Sequence, residues 1–271
     1  MKRKKNILFC IMLSLFAMSC TKVLDVSLPT QEDKIVIEGL VTTQTKPFKV
    51  KVSKTIALGD SNRFPAVNNA VIIIADNIGN RDTLKLMSAG IYETVTPRKG
   101  VVGRTYLITV TIDGTTYSGQ DQLNSVSPID SLYTIYLTAG SGIGITEDGY
   151  YLFYNSTDPP AEKNYYQDKI FKNGISILSP SQIGVYDDRF LAPVLKGVRL
   201  PGRYNSGDHV TFDLYSLTQN AYIFYNGLST QLQNDGGFFS TPPANAISNL
   251  SNGAIGYFQA SDIKVDSLIV P

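Results

Sequence analysis

Apolar residues recur at every second position through much of the chain. Phe48, Val50 and Val52 alternate with Lys49, Lys51 and Ser53, as in a strand with one wet face. Val71 to Ala75 is a short apolar run closed by the turn residues Asp76, Asn77 and Gly79. Tyr106, Ile108, Val110 and Ile112 alternate with polar neighbours, and Asp113-Gly114 then supplies the positive-φ pair of a type I′ hairpin. With no helical period among them, these strands predict a small antiparallel β-sandwich over residues 34–125, immunoglobulin-like or transthyretin-like.

A second β module is expected over 126–271. Its strand signals are Leu132 to Leu137, Tyr150 to Tyr154, Val210 to Leu214, Ala254 to Phe258 and Ile263 to Val270. Tyr165 to Phe171 and Ile175 to Leu178 read as a hairpin about Asn173-Gly174. Leu217, Ala221, Phe224, Leu228 and Leu232 instead recur every three or four residues. That spacing predicts one amphipathic helix over about 217–233, capped by Ser216 and stopped by Gly236-Gly237. The fold class expected is therefore mainly β, two antiparallel sandwich-like modules, the second carrying one helix.

The first twenty residues break this pattern. Lys2, Arg3, Lys4 and Lys5 precede the uncharged, mostly apolar Ile7 to Met18. Twelve residues fall short of the roughly 20 that span a bilayer as a helix, but they suit the core of a signal peptide. Ala17-Met18-Ser19-Cys20 closes the stretch and looks like a bacterial lipobox. Residues 1–19 are read as a signal peptide, Cys20 as the lipidated residue, and 20–33 as a polar tether. Cys10 leaves with the signal, so no disulfide is expected in the mature chain.

Composition narrows the function classes. The 271 residues carry 24 Lys+Arg against 23 Asp+Glu, which offers no polybasic surface for nucleic acid. One histidine and two cysteines leave no set for a histidine-rich metal site, and no cofactor or metal is expected. Thirteen of the sixteen tyrosines lie after residue 125. In a strand, the neighbours Tyr150-Tyr151 and Tyr165-Tyr166 must point to opposite faces. One member of each is expected to face solvent, and the four are candidates for a partner surface. The second module is expected to carry recognition and the first to act as a spacer.

Catalytic candidates are few. Asp187-Asp188 with Asp208-His209 is the one carboxylate–imidazole constellation to weigh, against ordinary polar loops. Gly140-Ser141-Gly142-Ile143-Gly144 has the composition of a phosphate loop without its Lys-Ser/Thr, and reads as a hairpin loop.

Ile35-Val36-Ile37-Glu38-Gly39, Asn164-Tyr165-Tyr166, and the series Gln231, Gly236-Gly237, Pro242-Pro243-Ala244-Asn245 and Gly256-Tyr257-Phe258 carry a likeness. Together with the lipobox, they resemble a Bacteroidota lipoprotein family known as domain of unknown function 4249. The resemblance implies an outer-membrane lipoprotein, often encoded beside a TonB-dependent transporter, with no established activity. Many surface-exported lipoproteins of that phylum carry acidic residues after the cysteine, whereas Thr21-Lys22-Val23-Leu24 stand here, so both sides of the membrane stay open. Asp82-Thr83-Leu84, Asp130-Ser131-Leu132 and Asp266-Ser267-Leu268 resemble that phylum's O-glycosylation sequon, making Thr83, Ser131 and Ser267 candidate sites at sheet edges or turns. The function expected is a non-catalytic binding or accessory subunit, partnered by the membrane through its anchor and by a β-barrel transporter, with a small-molecule or glycan ligand left open. A structural envelope lipoprotein and a hydrolase using Asp187, Asp188 and His209 are the alternatives.

Overall fold

A computed structural model describes residues 33–56, 64–157, 163–179, 182–188, 194–234 and 245–271. The signal peptide, Cys20, the tether before Asp33 and the Gly236-Gly237 helix stop lie outside the described residues. The strands are β1 (Ile35–Thr42), β2 (Lys49–Lys54), β3 (Val71–Asp76), β4 (Arg81–Ser88), β5 (Ile91–Thr94), β6 (Thr105–Ile112), β7 (Thr115–Gln122) and β8 (Ser131–Leu137). They continue with β9 (Gly149–Thr157), β10 (Tyr165–Lys172), β11 (Ile175–Ser176), β12 (Gly184–Asp187), β13 (Val194–Arg199), β14 (His209–Leu217), β15 (Ile255–Ser261) and β16 (Ile263–Ile269). The helix α1 (Gln219–Leu232) follows β14.

Period-two patterning becomes burial directly. Val50 and Val52 of β2 are fully buried while Lys49 and Lys51 are exposed, and β6 turns Tyr106, Ile108, Val110 and Ile112 inward. Each such side chain contributes about 1.5–3 kcal/mol on burial. In the apolar run of β3, only Ile72, Ile74 and the closing Asp76 are buried, and Val71 is left exposed. Asp113 (φ 48°) and Gly114 (φ 83°) form the expected turn between β6 and β7. Asn173 (φ 52°) and Gly174 (φ 80°) do the same between β10 and β11.

The first sheet has eight strands in the order β15-β1-β2-β5-β4-β3-β6-β7. Its edge strand β15 comes from the other half of the chain and pairs parallel to β1, from Val36↔Ile255 to Thr42↔Ser261. Contrary to the expected antiparallel module, the sandwich is not wholly antiparallel, and it does not close within 34–125. Phe258 of β15 is fully buried in the same core as Ile37, Val50 and Val110.

The second part sets the three-stranded sheet β13-β9-β8 against a five-stranded one, in which β10 pairs with β11, β12 and β14 and β14 with β16. Leu152 and Tyr154 of β9 meet Ile170, Phe212 and Leu214 of β10 and β14 in a core of their own. The helix begins two residues later than expected. Leu217 still belongs to β14, and the cap is Thr218, whose Oγ1 accepts the Ala221 N–H at 3.2 Å. Ser216 is unavailable because its hydroxyl donates to the Asn124 carbonyl at 2.7 Å. Ala221 and Phe224 pack under the helix on Tyr165, Leu217 and Tyr257.

Register fixes the ends of the structure. β1, β3, β5, β7 and β15 run one way, so the chain enters the first sheet at Ile35 and leaves it at Gln122 and Ser261, both at the opposite end. There a polar cluster joins the two parts. Asp121 accepts from Thr218 Oγ1 (2.7 Å) and the Ala260 N–H (3.0 Å). Burial pushes the Asp121 carboxyl up to about 6, against the pull of these donors and of the Gln122 N–H. Its folded value lies above the unfolded one, so protonated Asp121 stabilises the fold at low pH and that contribution is lost as pH rises through about 6. From pH 4 to pH 7 the wild type should lose about 2 kcal/mol relative to Asp121→Asn. Urea denaturation of both proteins across that range checks it; a constant difference would contradict the assignment.

Candidate functional site

The far ends of the second part's strands converge on a tip. It gathers the loop between β8 and β9, the Asn173-Gly174 turn and residues 200–208, tied by backbone bonds between Tyr150 and Tyr204 and by the Gly207 N–H to Val270 O (2.9 Å). A cleft of about 240 Å³ opens there, lined by Glu147, Tyr151, Arg199, Pro201, Gly202 and Arg203 among others. Arg199 Nη1 donates to Ile143 O at 2.8 Å, and its guanidinium stands 6.0 Å from the centre of the Tyr151 ring. Arg203 Nε pairs with Glu147 Oε2 at 3.1 Å, and Tyr151 donates its hydroxyl to Glu147 O at 2.9 Å. Among the described residues Arg199 has no carboxylate partner. Two guanidiniums against one carboxylate give the cleft a positive balance, and a guanidinium fork suits a carboxylate, sulfate or phosphate group. Tyr136, 54% exposed, and Tyr150 meet edge to face at 5.2 Å where β8 and β9 reach the tip.

The tyrosine pairs behave differently from the alternation argument. Tyr150 is half-buried, but Tyr151, Tyr165 and Tyr166 are all buried. The reason is cover on both faces. The β8–β9 loop closes over Tyr151 through Glu147 O. Tyr165 lies against Tyr222 of the helix at 5.1 Å. Tyr166 faces the inter-sheet core, with its hydroxyl 2.7 Å from Ser127 Oγ. Buried in this way, Tyr151, Tyr165 and Tyr166 offer no surface to a partner.

The carboxylate–imidazole constellation does not assemble. Asp187 lies opposite Tyr165, which pairs with Leu217 at one end of β14, whereas His209 begins that strand at the other end. Eight residues at ~3.4 Å each separate these levels by roughly 27 Å. Asp188 accepts the Asn164 N–H at 2.8 Å. Asp208 is held below the usual carboxylate range by the Asn205 N–H, the Asn173 amide and Lys172, so it serves the turn beside His209. Among the described residues no group of three or more His, Cys, Asp or Glu could hold a metal. Of the sequon residues, Ser267 is exposed on the edge strand β16. Ser131 is half-buried on the edge strand β8 and accepts from Asn155 Nδ2. Thr83 is exposed on β4, a strand paired on both sides and so neither edge nor turn.

Over residues 21–267 the sequence matches the family described as Domain of unknown function (DUF4249). The chain belongs to that family. No curated protein matches it in sequence. Among solved structures it is similar to a two fibronectin type-III domain segment from chicken tenascin, at 9% identity over 88% of this chain and 100% of that one, with a TM-score of 0.23. It is also similar to a DUF4785 family protein from Legionella pneumophila, at 10% identity over 66% and 52% of the two chains, with a TM-score of 0.24.

The tip of this DUF4249 chain shows what sequence reasoning missed. Arg199 and Arg203 stand four positions apart, around Pro201-Gly202, with no motif to mark them. The usable signal was the β8–β9 loop, whose residues between Gly140 and Gly149 read as a hairpin loop without a task.

Proposed function

We propose that the protein is a lipid-anchored, non-catalytic binding subunit of the outer membrane, accessory to a TonB-dependent β-barrel transporter. One observation carries this reading: the chain enters the first sheet at Ile35, at the end away from the second part, while the arginine cleft lies at that part's tip. An anchor at Cys20 would hold one end and leave the cleft free to meet a partner or an anionic ligand. The signal pattern ending at Cys20 supports the anchor, and the family match beginning at Thr21, directly after it, is in keeping with it. Two or three acyl chains hold a protein far more firmly than one.

Cys20→Ala should move the protein from the membrane to the soluble fraction, and retention in high salt would remove the anchor. Full-length protein extracted in mild detergent should retain a β-barrel partner, and the Arg199→Glu/Arg203→Glu protein should lose at least about tenfold of it, as charge reversal at a close contact predicts. Equal retention by both proteins would detach the cleft from the function. Recovery of no β-barrel protein would favour a structural envelope role.

A further inference from the structure

The end of the first sheet where the chain enters carries a second surface feature. Phe64 is 60% exposed, Met87 65% and Leu86 44%. Their segments touch. Pro65 O accepts the Lys54 N–H at 2.9 Å, and Val52 donates to Gly90 O at 2.8 Å, so residues 64–68 and the β4–β5 hairpin tip flank the same stretch of β2. The Gly90 N–H donates to Asn68 Oδ1 at 2.8 Å, and a Cβ on Gly90 would stand only 3.2 Å from that of Ala66. Pro65, Ala66 and Ala89 are exposed beside them, and so are Lys34 and Lys54. The corner therefore offers apolar side chains and an aromatic ring, with two lysines and the exposed Asp33 around the point where the chain arrives.

Single exposed apolar residues need no explanation, but a cluster with flanking lysines is the composition of a bilayer-interface contact. The length of chain outside the structure points the same way. Thirteen residues, Thr21 to Asp33, carry the chain from Cys20 to the first strand's flank, a reach of at most about 45 Å. A body held that close meets the membrane at high effective concentration, so a contact too small to bind alone can still seat. We propose that Phe64, Met87 and Leu86, with Lys34 and Lys54, seat this corner on the phospholipid headgroup layer of the membrane that holds the anchor. The inference rests on the reading of Cys20 as lipid-bearing. It makes the tether a short leash on a docked body, and it aims the arginine cleft away from the bilayer.

Met87 is the one methionine after residue 19, which makes it a built-in probe. The chain from Cys20 onward is coupled through the Cys20 thiol to a maleimide phospholipid in phosphatidylethanolamine–phosphatidylglycerol vesicles, or to a soluble maleimide polyethylene glycol. Oxidation of Met87 to the sulfoxide by hydrogen peroxide is followed by mass spectrometry. The vesicle-bound chain should oxidise about fivefold more slowly, and Phe64→Ser with Lys54→Glu should abolish the protection. Equal rates on the two supports overturn the proposal. So does protection on both supports that rises with protein concentration, since a second copy would then be the occupant. The coupling is chemical, so the outcome does not depend on acylation in the cell, which fractionation of Cys20→Ala tests separately.

Discussion

A chain ended at residue 125 is expected to remain unfolded, although it contains seven of the eight strands of the first sheet. The missing strand β15 supplies Phe258 and Ala260 to that core, Ala254 just before it adds to the same core, and the strand covers the β1 edge along seven residue pairs. Truncating a buried Phe to Ala costs about 3–5 kcal/mol, against a total stability of about 5–15 kcal/mol for a typical domain. Here the ring, its neighbours and a whole ladder of hydrogen bonds go together. Asn249, which bonds Gln120 O and both the N–H and C=O of Phe258, goes with them. Residues 33–125 should give poor dispersion in amide NMR spectra and no cooperative urea transition. Restoring residues 245–262 through a flexible linker should recover both. A cooperative transition from 33–125 alone would show that β15 is an accessory to the sheet and not part of it.

The same strand shows where sequence reasoning stops. The turns Asp113-Gly114 and Asn173-Gly174 were legible because a positive-φ pair is a local demand that two adjacent residues satisfy. Alternation of Val50 and Val52 with lysines was legible because burial on one face writes itself into a single strand. Pairing between Ile37 and residue 256 leaves no such mark. Its trace is two glycines that fit nothing nearby in sequence. Gly39 gives up its side chain because a Cβ there would stand 2.8 Å from the Phe258 ring. Gly256 is at φ 99°, and a Cβ on it would reach 2.2 Å from Ile37 O. Both glycines sit in the segments that carried the family resemblance, and the structure joins those segments as partners. Tyrosine burial was illegible for a related reason. Alternation tells which face a ring takes, while a helix or loop arriving from elsewhere decides whether that face is wet. The arginines of the tip were hidden because their cleft is made by a loop from another strand pair.

The connection between β15 and β16 should be the most sensitive electrostatic point, and Asp262→Ala is expected to cost about 3 kcal/mol. Ser261-Asp262-Ile263 carries the chain from the first sheet into the second part. The Asp262 side chain is 7% exposed. It accepts from Thr43 Oγ1, the Val126 N–H (3.2 Å), the Ile263 N–H (2.9 Å) and Lys264 Nζ (3.1 Å). Thr43 follows β1 and Val126 opens the linker to β8, so one carboxylate binds three separate passages of the chain. Burial alone would raise its proton affinity, but Thr43, Val126 and Lys264 together hold it below the usual carboxylate range. Alanine leaves the buried Val126 N–H and the Thr43 hydroxyl without their acceptor. Lys264 is 44% exposed and can turn to water, which keeps the cost at the lower end for a broken buried pair. Asp262→Asn retains one acceptor and should lose only about 1 kcal/mol. The sign with pH is opposite to that of Asp121. A depressed folded value means the contribution is present above about pH 4 and lost as pH falls through the folded value, so the gap between wild type and Asp262→Ala should close in acid. If Asp262 also couples the two parts, the alanine variant should unfold in two steps, the second part's core at one urea concentration and the first sheet's at another. A loss under about 1 kcal/mol in a single transition would mean that the strand pairs alone hold the parts together.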